Sequence, residues 1–251
     1  MLEFDSNRST LYGQILDSLY ESAKAADEFE YMCTLLNIEG MKSSGWFAET
    51  ESQILIRDLM SFQTLPILDH AKIRLALLAY GHIVEMDIGY HFVANLLRIT
   101  AGGRYSIAPL PDKNGKPMKY PYQKIARISK LAADLGQTDI PKLFDYYSSA
   151  IRNAVMHSNY ALHEDRFNIT RGKPLRVQGN LLEHSVKLME EIVPRINSSL
   201  RFFSDFFRIR HERIASYQTV KTINGRLGAA GTMIPVTITV EEGYGLTGFT
   251  A

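Results

Sequence analysis

Apolar residues at positions 11, 12, 15, 16, 19, 20, 23, 26, 29, 32, 35 and 36 recur every three or four places, and this spacing narrows the fold of the chain more than any other feature. A half-buried strand would need them at every second place. A helix turns through about 100° per residue and gathers such a set into one stripe. Residues 11–36 are therefore predicted as one helix, ended by Gly40 and the Ser43-Ser44-Gly45 cluster, with Trp46 and Phe47 packing in the turn that follows.

The same period predicts further helices. One covers residues 52–62, before Pro66. A long one covers 69–99, capped by Asp69 and stopped by Ala101-Gly102-Gly103. Others cover 122–135 and 141–159, the latter with Pro141 in its first turn and Thr138 or Asp139 near its cap. The last covers 181–214, with a kink at Pro194. Residues 100–121 carry Gly102, Gly103, Pro109, Pro111, Gly115, Pro117 and Pro121 and form a long irregular stretch of the kind that is functional or mobile. Residues 166–177 read as a hairpin in which Phe167 and Ile169 face Leu175 and Val177 around Arg171-Gly172-Lys173-Pro174. Residues 217–223 and 236–240 alternate as strands do, with Asn224-Gly225 as a turn signal. The expected fold is mainly α: a helical bundle with a small β-hairpin after the 141–159 helix and a β-rich C-terminal tail. Its expected division is an acidic N-terminal helix at 1–45, the bundle at 46–215, and a hairpin or arm at 216–251.

A chain of 251 residues, 45% of them hydrophobic, buries a core without disulfides or a structural metal. Cys33 is the single cysteine, so no disulfide forms within the chain. Its neighbours Tyr31, Met32, Leu35 and Leu36 suggest a buried thiol and a reducing, cytoplasmic setting. The acidic, polar start lacks the basic and apolar regions of a secretory signal. The most apolar region, 73–99, is interrupted by His82, Glu85, Asp87 and His91, which favours a core helix over a membrane span. Charge is uneven although the net is +1. Residues 1–60 hold eleven acids and four bases; 101–130 hold seven bases and one acid; 195–226 hold seven bases and two acids. The basic segments either attract a polyanion or pack beside the acidic first helix.

The residues with most chemistry to offer lie at 148–160. On a helix Ser149, Asn153 and His157 are spaced i, i+4 and i+8 and share a face, while Ile151, Ala154 and Val155 fall on the opposite side. Arg152 lies aside but has a long reach. A cation, an amide and an imidazole suit work on a phosphodiester. RNA brings its own nucleophile, the 2′-hydroxyl; a histidine with a pKa of about 6.5 moves the proton, and an arginine braces charge building on the phosphoryl oxygens. No metal is needed.

Arg152-Asn153, three further residues and then His157 resembles the motif of the HEPN superfamily: arginine, four to six residues, histidine, with a polar residue directly after the arginine. The resemblance covers about residues 50–215. It implies a helical bundle that dimerises so that two motifs face one cleft, and metal-independent cleavage of RNA to cyclic-phosphate and 5′-hydroxyl ends. It also implies a place in toxin–antitoxin, abortive-infection or CRISPR-linked defence, with an antitoxin or defence-complex partner. Arg152 and His157 become the catalytic pair and Asn153 their support. Ser149, Tyr160, His163 and Lys119 are the expected RNA-contacting residues, with no cofactor and no metal. Some HEPN domains only bind nucleotides or partners, which is the alternative expectation.

Other candidates are weaker. His157, His163, Glu164 and Asp165 match no standard metal-ligand spacing. Ser148 and Ser149 lack the nucleophile-elbow pattern, and neither Gly102-Gly103 nor the glycines near 228–231 form a phosphate loop. His82, Glu85 and His91 read as a solvated or interface stripe. Phe202, Phe203, Phe206 and Phe207 read as core. Residues 113–119, with Tyr120 and Tyr122, offer charge and stacking to RNA, although an exposed mobile loop accounts for the same composition.

Overall fold

The computed structural model describes residues 6–39, 43–44, 46–66, 68–177, 181–227 and 231–250, with side chains at 6–10, 38–49 and 227 set aside. The expected stop at Gly40 and Gly45 and the packing of Trp46 and Phe47 lie outside the described residues. The chain is mainly helical with small antiparallel sheets.

The first predicted helix is two. Helix α1 (Ser6–Ala26) ends and α2 (Glu28–Leu36) begins around Asp27, whose extended backbone (φ −158°) lets its carboxylate accept the amides of Phe29 and Glu30. Such an N-cap stabilises a helix start by about 1 kcal/mol, so the apolar stripe continues while the backbone does not. Asn37, left-handed at φ 47°, closes α2. The short strands β1 (Ile38–Glu39) and β2 (Ser43–Ser44) pair, and α3 (Trp46–Ser61) follows.

The predicted 69–99 helix is also two: α4 (Asp69–Glu85) and α5 (Asp87–Thr100), separated by extended Met86. Leu68 and not Asp69 holds the cap position of α4, with no side-chain cap bond. Asp87 sits where a carboxylate favours a helix start, and its charge is bonded by Lys124. Gly102, at φ 79°, ends α5 as expected, with the Gly103 amide reaching back to the Arg98 carbonyl. Helix α6 (Pro121–Asp134) carries its proline in the first turn.

The predicted 141–159 helix shortens to a 3₁₀ turn at Ile140–Phe144 and an α-helix, α7 (Ser149–Met156), capped by the Ser148 hydroxyl. The hairpin sits earlier than predicted: β3 (Tyr160–His163) pairs with β4 (Arg166–Ile169) around Glu164, at φ 51°, and Asp165. The neighbours of Phe167 are therefore Leu162 and Val186, not Leu175 or Val177. Leu175 belongs to β5 (Leu175–Arg176), which pairs with β6 (Leu182–Glu183), while β7 (Ser185–Lys187) joins β4. The predicted 181–214 helix begins only after these strands and a wide turn at Leu188–Ile192. Pro194 is the second residue of α8 (Val193–Ala215) and makes no mid-helix kink. The tail forms β8 (Thr222–Leu227), β9 (Thr232–Glu241) and β10 (Gly245–Thr250) in the order β10-β9-β8. Asn224 and Gly225 lie inside β8, opposite Pro235 and Ile234, rather than at a turn.

These elements form two compact units, each discontinuous in sequence. One takes the chain up to Tyr12, Ala48–Met86 and Pro141–Phe203. Its core holds Leu77, Tyr80, Ile151, Val155, Phe167 and Ile196. The buried Tyr80 hydroxyl donates to the Tyr146 carbonyl (3.2 Å) and accepts the Ser148 amide (3.1 Å), which fixes the entry to α7. The second unit takes Gly13–Phe47, Asp87–Ile140 and the chain from Ser204. Helix α2 is buried along nearly its whole length there, with Phe29 edge-on to Phe249 of β10 at 5.0 Å. Tyr20, Phe92 and Phe206 form a continuous aromatic cluster of tilted and edge-on rings. Of the 202–207 phenylalanines, Phe202, Phe203 and Phe206 are core, as the helical spacing predicts.

The acidic and basic segments meet within this second unit. Arg213 pairs with Asp17 (2.7 Å) and with Glu21, Lys221 with Glu28 (2.8 Å), and Arg226 with Asp27 (3.1 Å). Buried Arg210 donates to the Leu35 carbonyl (2.8 Å). Part of the 195–226 charge is thus spent on packing. Cys33 is buried, and burial pushes its thiol pKa well up, so it is held as an unreactive thiol. No helix among the described residues is long and apolar enough to cross a membrane.

Candidate functional site

Helix α7 divides as its sequence predicts. Ala150, Ile151, Ala154 and Val155 are buried, while Ser149, Asn153 and His157 are exposed on one face. Gly81 of α4 lies against the buried side; a Cβ there would stand 3.1 Å from Met156 Sδ and 3.5 Å from a Val155 methyl, so glycine lets the two helices approach.

His157 occupies the C-cap (φ −108°, ψ 10°) and not the helix interior. Ser158 turns left-handed at φ 53°, its amide bonding the Val155 carbonyl (3.2 Å) while the Asn159 amide reaches Ala154 (2.8 Å). This pair of bonds satisfies the last helix carbonyls and sets the chain into β3. The imidazole of His157 is exposed and makes no hydrogen bond or ion pair with a described residue.

Arg152 is the better-held member. Its Nε donates to Glu85 Oε1 on α4, and its Nη1 donates to Asn153 Oδ1 at 2.8 Å. The guanidinium side chain is 20% exposed and the Glu85 side chain 30%, so the ion pair is partly desolvated. One helical turn before Glu85, half-buried His82 hydrogen-bonds Ser52 (3.0 Å), and burial lowers its pKa. Glu85 is the participant that sequence reasoning missed. Its spacing reads as a solvated or interface stripe, and nothing in the chain ties position 85 to position 152, since the packing of α4 on α7 makes that connection.

The remaining predicted residues separate. Tyr160 is half-buried and stacked on Phe167 at 5.1 Å; burial raises its phenol pKa, opposed by the Arg74 charge. His163 is exposed on the opposite face of β3 from Tyr160. Lys119 belongs to the second unit, so it does not join Ser149, Arg152, Asn153 and His157 in one compact unit. A cavity of about 860 Å³ in the first unit is lined by Met60, His70, Ile73, Glu164, Leu188 and Met189, and no residue of α7 lines it. Among the described residues, no three histidine, cysteine or acidic side chains gather as a metal-ion group.

Chemically, the face offers a guanidinium oriented by a carboxylate and an amide, an exposed imidazole and a hydroxyl. The guanidinium supplies hydrogen bonds for an oxyanion, and an imidazole is a proton-transfer group. Comparison with protein families, curated proteins and solved structures finds no match to this chain.

Proposed function

We propose that the Arg152–His157 face is a metal-independent endoribonuclease site of the HEPN kind. The observation that carries this reading is the pairing on one short helix of an unbonded, exposed His157 imidazole with a guanidinium pre-oriented by Asn153 and Glu85. In the proposed reaction an imidazole accepts the proton of the RNA 2′-hydroxyl. That oxygen attacks the adjacent phosphorus, a 2′,3′-cyclic phosphate forms, and the 5′-oxygen of the next nucleotide leaves with a proton. Arg152 stabilises the negative phosphoryl oxygens as the new bond forms. A single His157 cannot be base and acid in the same step. A homodimer that brings two copies of the motif to one cleft supplies the second imidazole.

Glu85 favours a second reading. Its carboxylate already neutralises Arg152 and competes with phosphate for it, as it would in a HEPN-like module that binds a nucleotide or a protein partner without turnover. Incubation of the protein with labelled RNA in EDTA, beside Arg152→Ala and His157→Ala, separates the two. Cyclic-phosphate ends that vanish in both variants are expected for the nuclease. Binding with no product in any sample selects the module.

A further inference from the structure

We infer that the second unit carries a preformed platform for single-stranded nucleic acid, built from Tyr120, Tyr122 and the exposed cations of residues 113–130. It deepens the ribonuclease proposal without resting on it, since no residue of α7 takes part.

The stretch that leads into α6 is irregular but tightly held. Buried Asn95 clamps it twice, its Nδ2 donating to the Ser106 carbonyl and its Oδ1 accepting the Ser106 amide, both at 2.9 Å. The buried Glu30 carboxylate accepts the Tyr105 amide at 2.9 Å. Residues 110–118 then fold back on themselves. Pro111 and Pro117 bridge, the Met118 amide reaches the Leu110 carbonyl (3.0 Å), and Asp112 accepts the amides of Asn114 and Lys116. Gly115, at φ 79°, completes the turn. The loop is a scaffold of hydrogen-bonded turns.

That scaffold displays an unusual set of side chains. Tyr120 and Tyr122 are 50% and 53% exposed, yet their rings stack on each other at 5.8 Å with 18° between planes. Pro121 between them fixes the backbone at the first turn of α6. Two large aromatic faces are thus held in water, in parallel, with no core to fill. In the same stretch Lys113, Lys116, Lys119, Arg127 and Lys130 are exposed, and none forms an ion pair with a described residue. On α6, Tyr122, Arg127 and Lys130 lie on the solvent arc opposite buried Lys124, Ile128 and Ala132. The acids of this stretch are otherwise placed: Asp112 serves the loop amides and Asp87 bonds Lys124, while Asp134 lies at the far end of α6. The contrast with Arg213, Lys221 and Arg226, which pair with acids of α1 and α2, is the deciding observation.

Free cations match phosphates, and parallel exposed rings match unstacked bases, which a duplex does not offer. A polyanion without planar groups, such as an acidic protein surface, would use the lysines and leave the tyrosines idle.

The experiment is fluorescence anisotropy on the full chain carrying His157→Ala, so that any cleavage is removed from the measurement. The probes are labelled 20-nucleotide oligouridylate and oligothymidylate, a duplex of equal length, and polyglutamate. Binding to both single strands is expected. Tyr120→Leu/Tyr122→Leu should weaken it about tenfold or more with the salt dependence unchanged, since a stacked base is worth about one to two decades in affinity. Lys113→Ala/Lys116→Ala/Lys119→Ala should flatten the slope of log K against log salt by about 2, at about 0.7 per phosphate contact on a single strand. Thermal melts of both variants confirm folding, as all five positions are solvent-facing. Absence of single-strand binding overturns the inference, as does binding that neither variant alters. Preference for polyglutamate, insensitive to the tyrosine changes, overturns it in favour of an acidic protein partner. A nuclease that fails in EDTA leaves the binding result intact, and the reverse also holds.

Discussion

Gly225→Ala tests the least expected element of the fold. Asn-Gly is a strong hairpin-turn signal, yet here Gly225 lies mid-strand in β8, paired with Ile234. In an ordinary strand, replacing glycine with alanine stabilises by about 0.5–1 kcal/mol, because the unfolded chain loses freedom. At this position an added Cβ would overlap a Val236 methyl and stand 2.9 Å from Phe29 Cδ2 and 3.0 Å from Cε2. Neither neighbour can yield: Val236 is 1% exposed and stiff about χ1, and Phe29 is 5% exposed and braced by Phe249. Overpacking of this kind costs about 1–3 kcal/mol. The net expectation is a loss of roughly 1–2 kcal/mol, which lowers the urea midpoint by about 0.5–1 M at a slope of about 2 kcal/mol/M. The double variant Gly225→Ala/Val236→Ala makes the test specific, because removing the Val236 methyls relieves the overlap. The pair should therefore couple by about 1 kcal/mol. A higher midpoint for Gly225→Ala, or costs that add within about 0.5 kcal/mol, would refute the close packing of Gly225 against Val236.

Three further outcomes are expected. Ser158→Gly should stabilise the protein by about 0.5–1 kcal/mol in the same denaturation assay, since glycine accepts the left-handed φ of 53° after α7 without strain; a loss would mean that the Ser158 side chain has a role of its own. Glu85→Gln keeps an acceptor for Arg152 but removes the competing charge, so RNA affinity should rise about tenfold, from Coulomb's law at roughly 6 Å and an effective dielectric of about 40; unchanged affinity would show that Glu85 does not restrain Arg152. Burial pushes the Glu28 pKa up, but the Lys221 and Tyr217 hydrogen bonds and the Lys221 charge outweigh it, and the net shift is downward. A lowered folded-state pKa gives stability that is present above the unfolded value of about 4.3 and is lost as pH falls through the folded one. Lys221→Met should therefore flatten the acid-side fall in melting temperature below about pH 4.3, and an unaltered fall would remove this pair from the account.

Much of the secondary structure was legible, because burial periodicity is a local property of the chain. The stripes of α1, α2, α4 and α5 stand at the positions where apolar residues recur, and the glycines after α5 stop it as glycines do. What misled was continuity. A stripe can run on across a break in the backbone, as it does at Asp27, where a carboxylate prefers capping two amides to occupying a helix interior. The same occurs at Met86, which bends the chain although its side chain suits a helix. The tail alternated visibly, but the meaning of Asn224-Gly225 depended on Phe29, nearly two hundred residues away.

The candidate site divides along the same line. The sequence by itself determined the polar face of α7, because the positions of Ser149, Asn153 and His157 at intervals of four and the apolar residues between them admit one arrangement on a helix. It also determined that the chain carries opposed acidic and basic segments. Only the tertiary structure decided which charges remain available. Arg213, Lys221 and Arg226 are paired with acids of α1 and α2, Arg152 is held by Glu85, and Lys113, Lys116, Lys119, Arg127 and Lys130 are left to solvent. Charge pairing needs atoms within about 4 Å, and residues distant in sequence reach that separation only through the packing of whole helices and sheets.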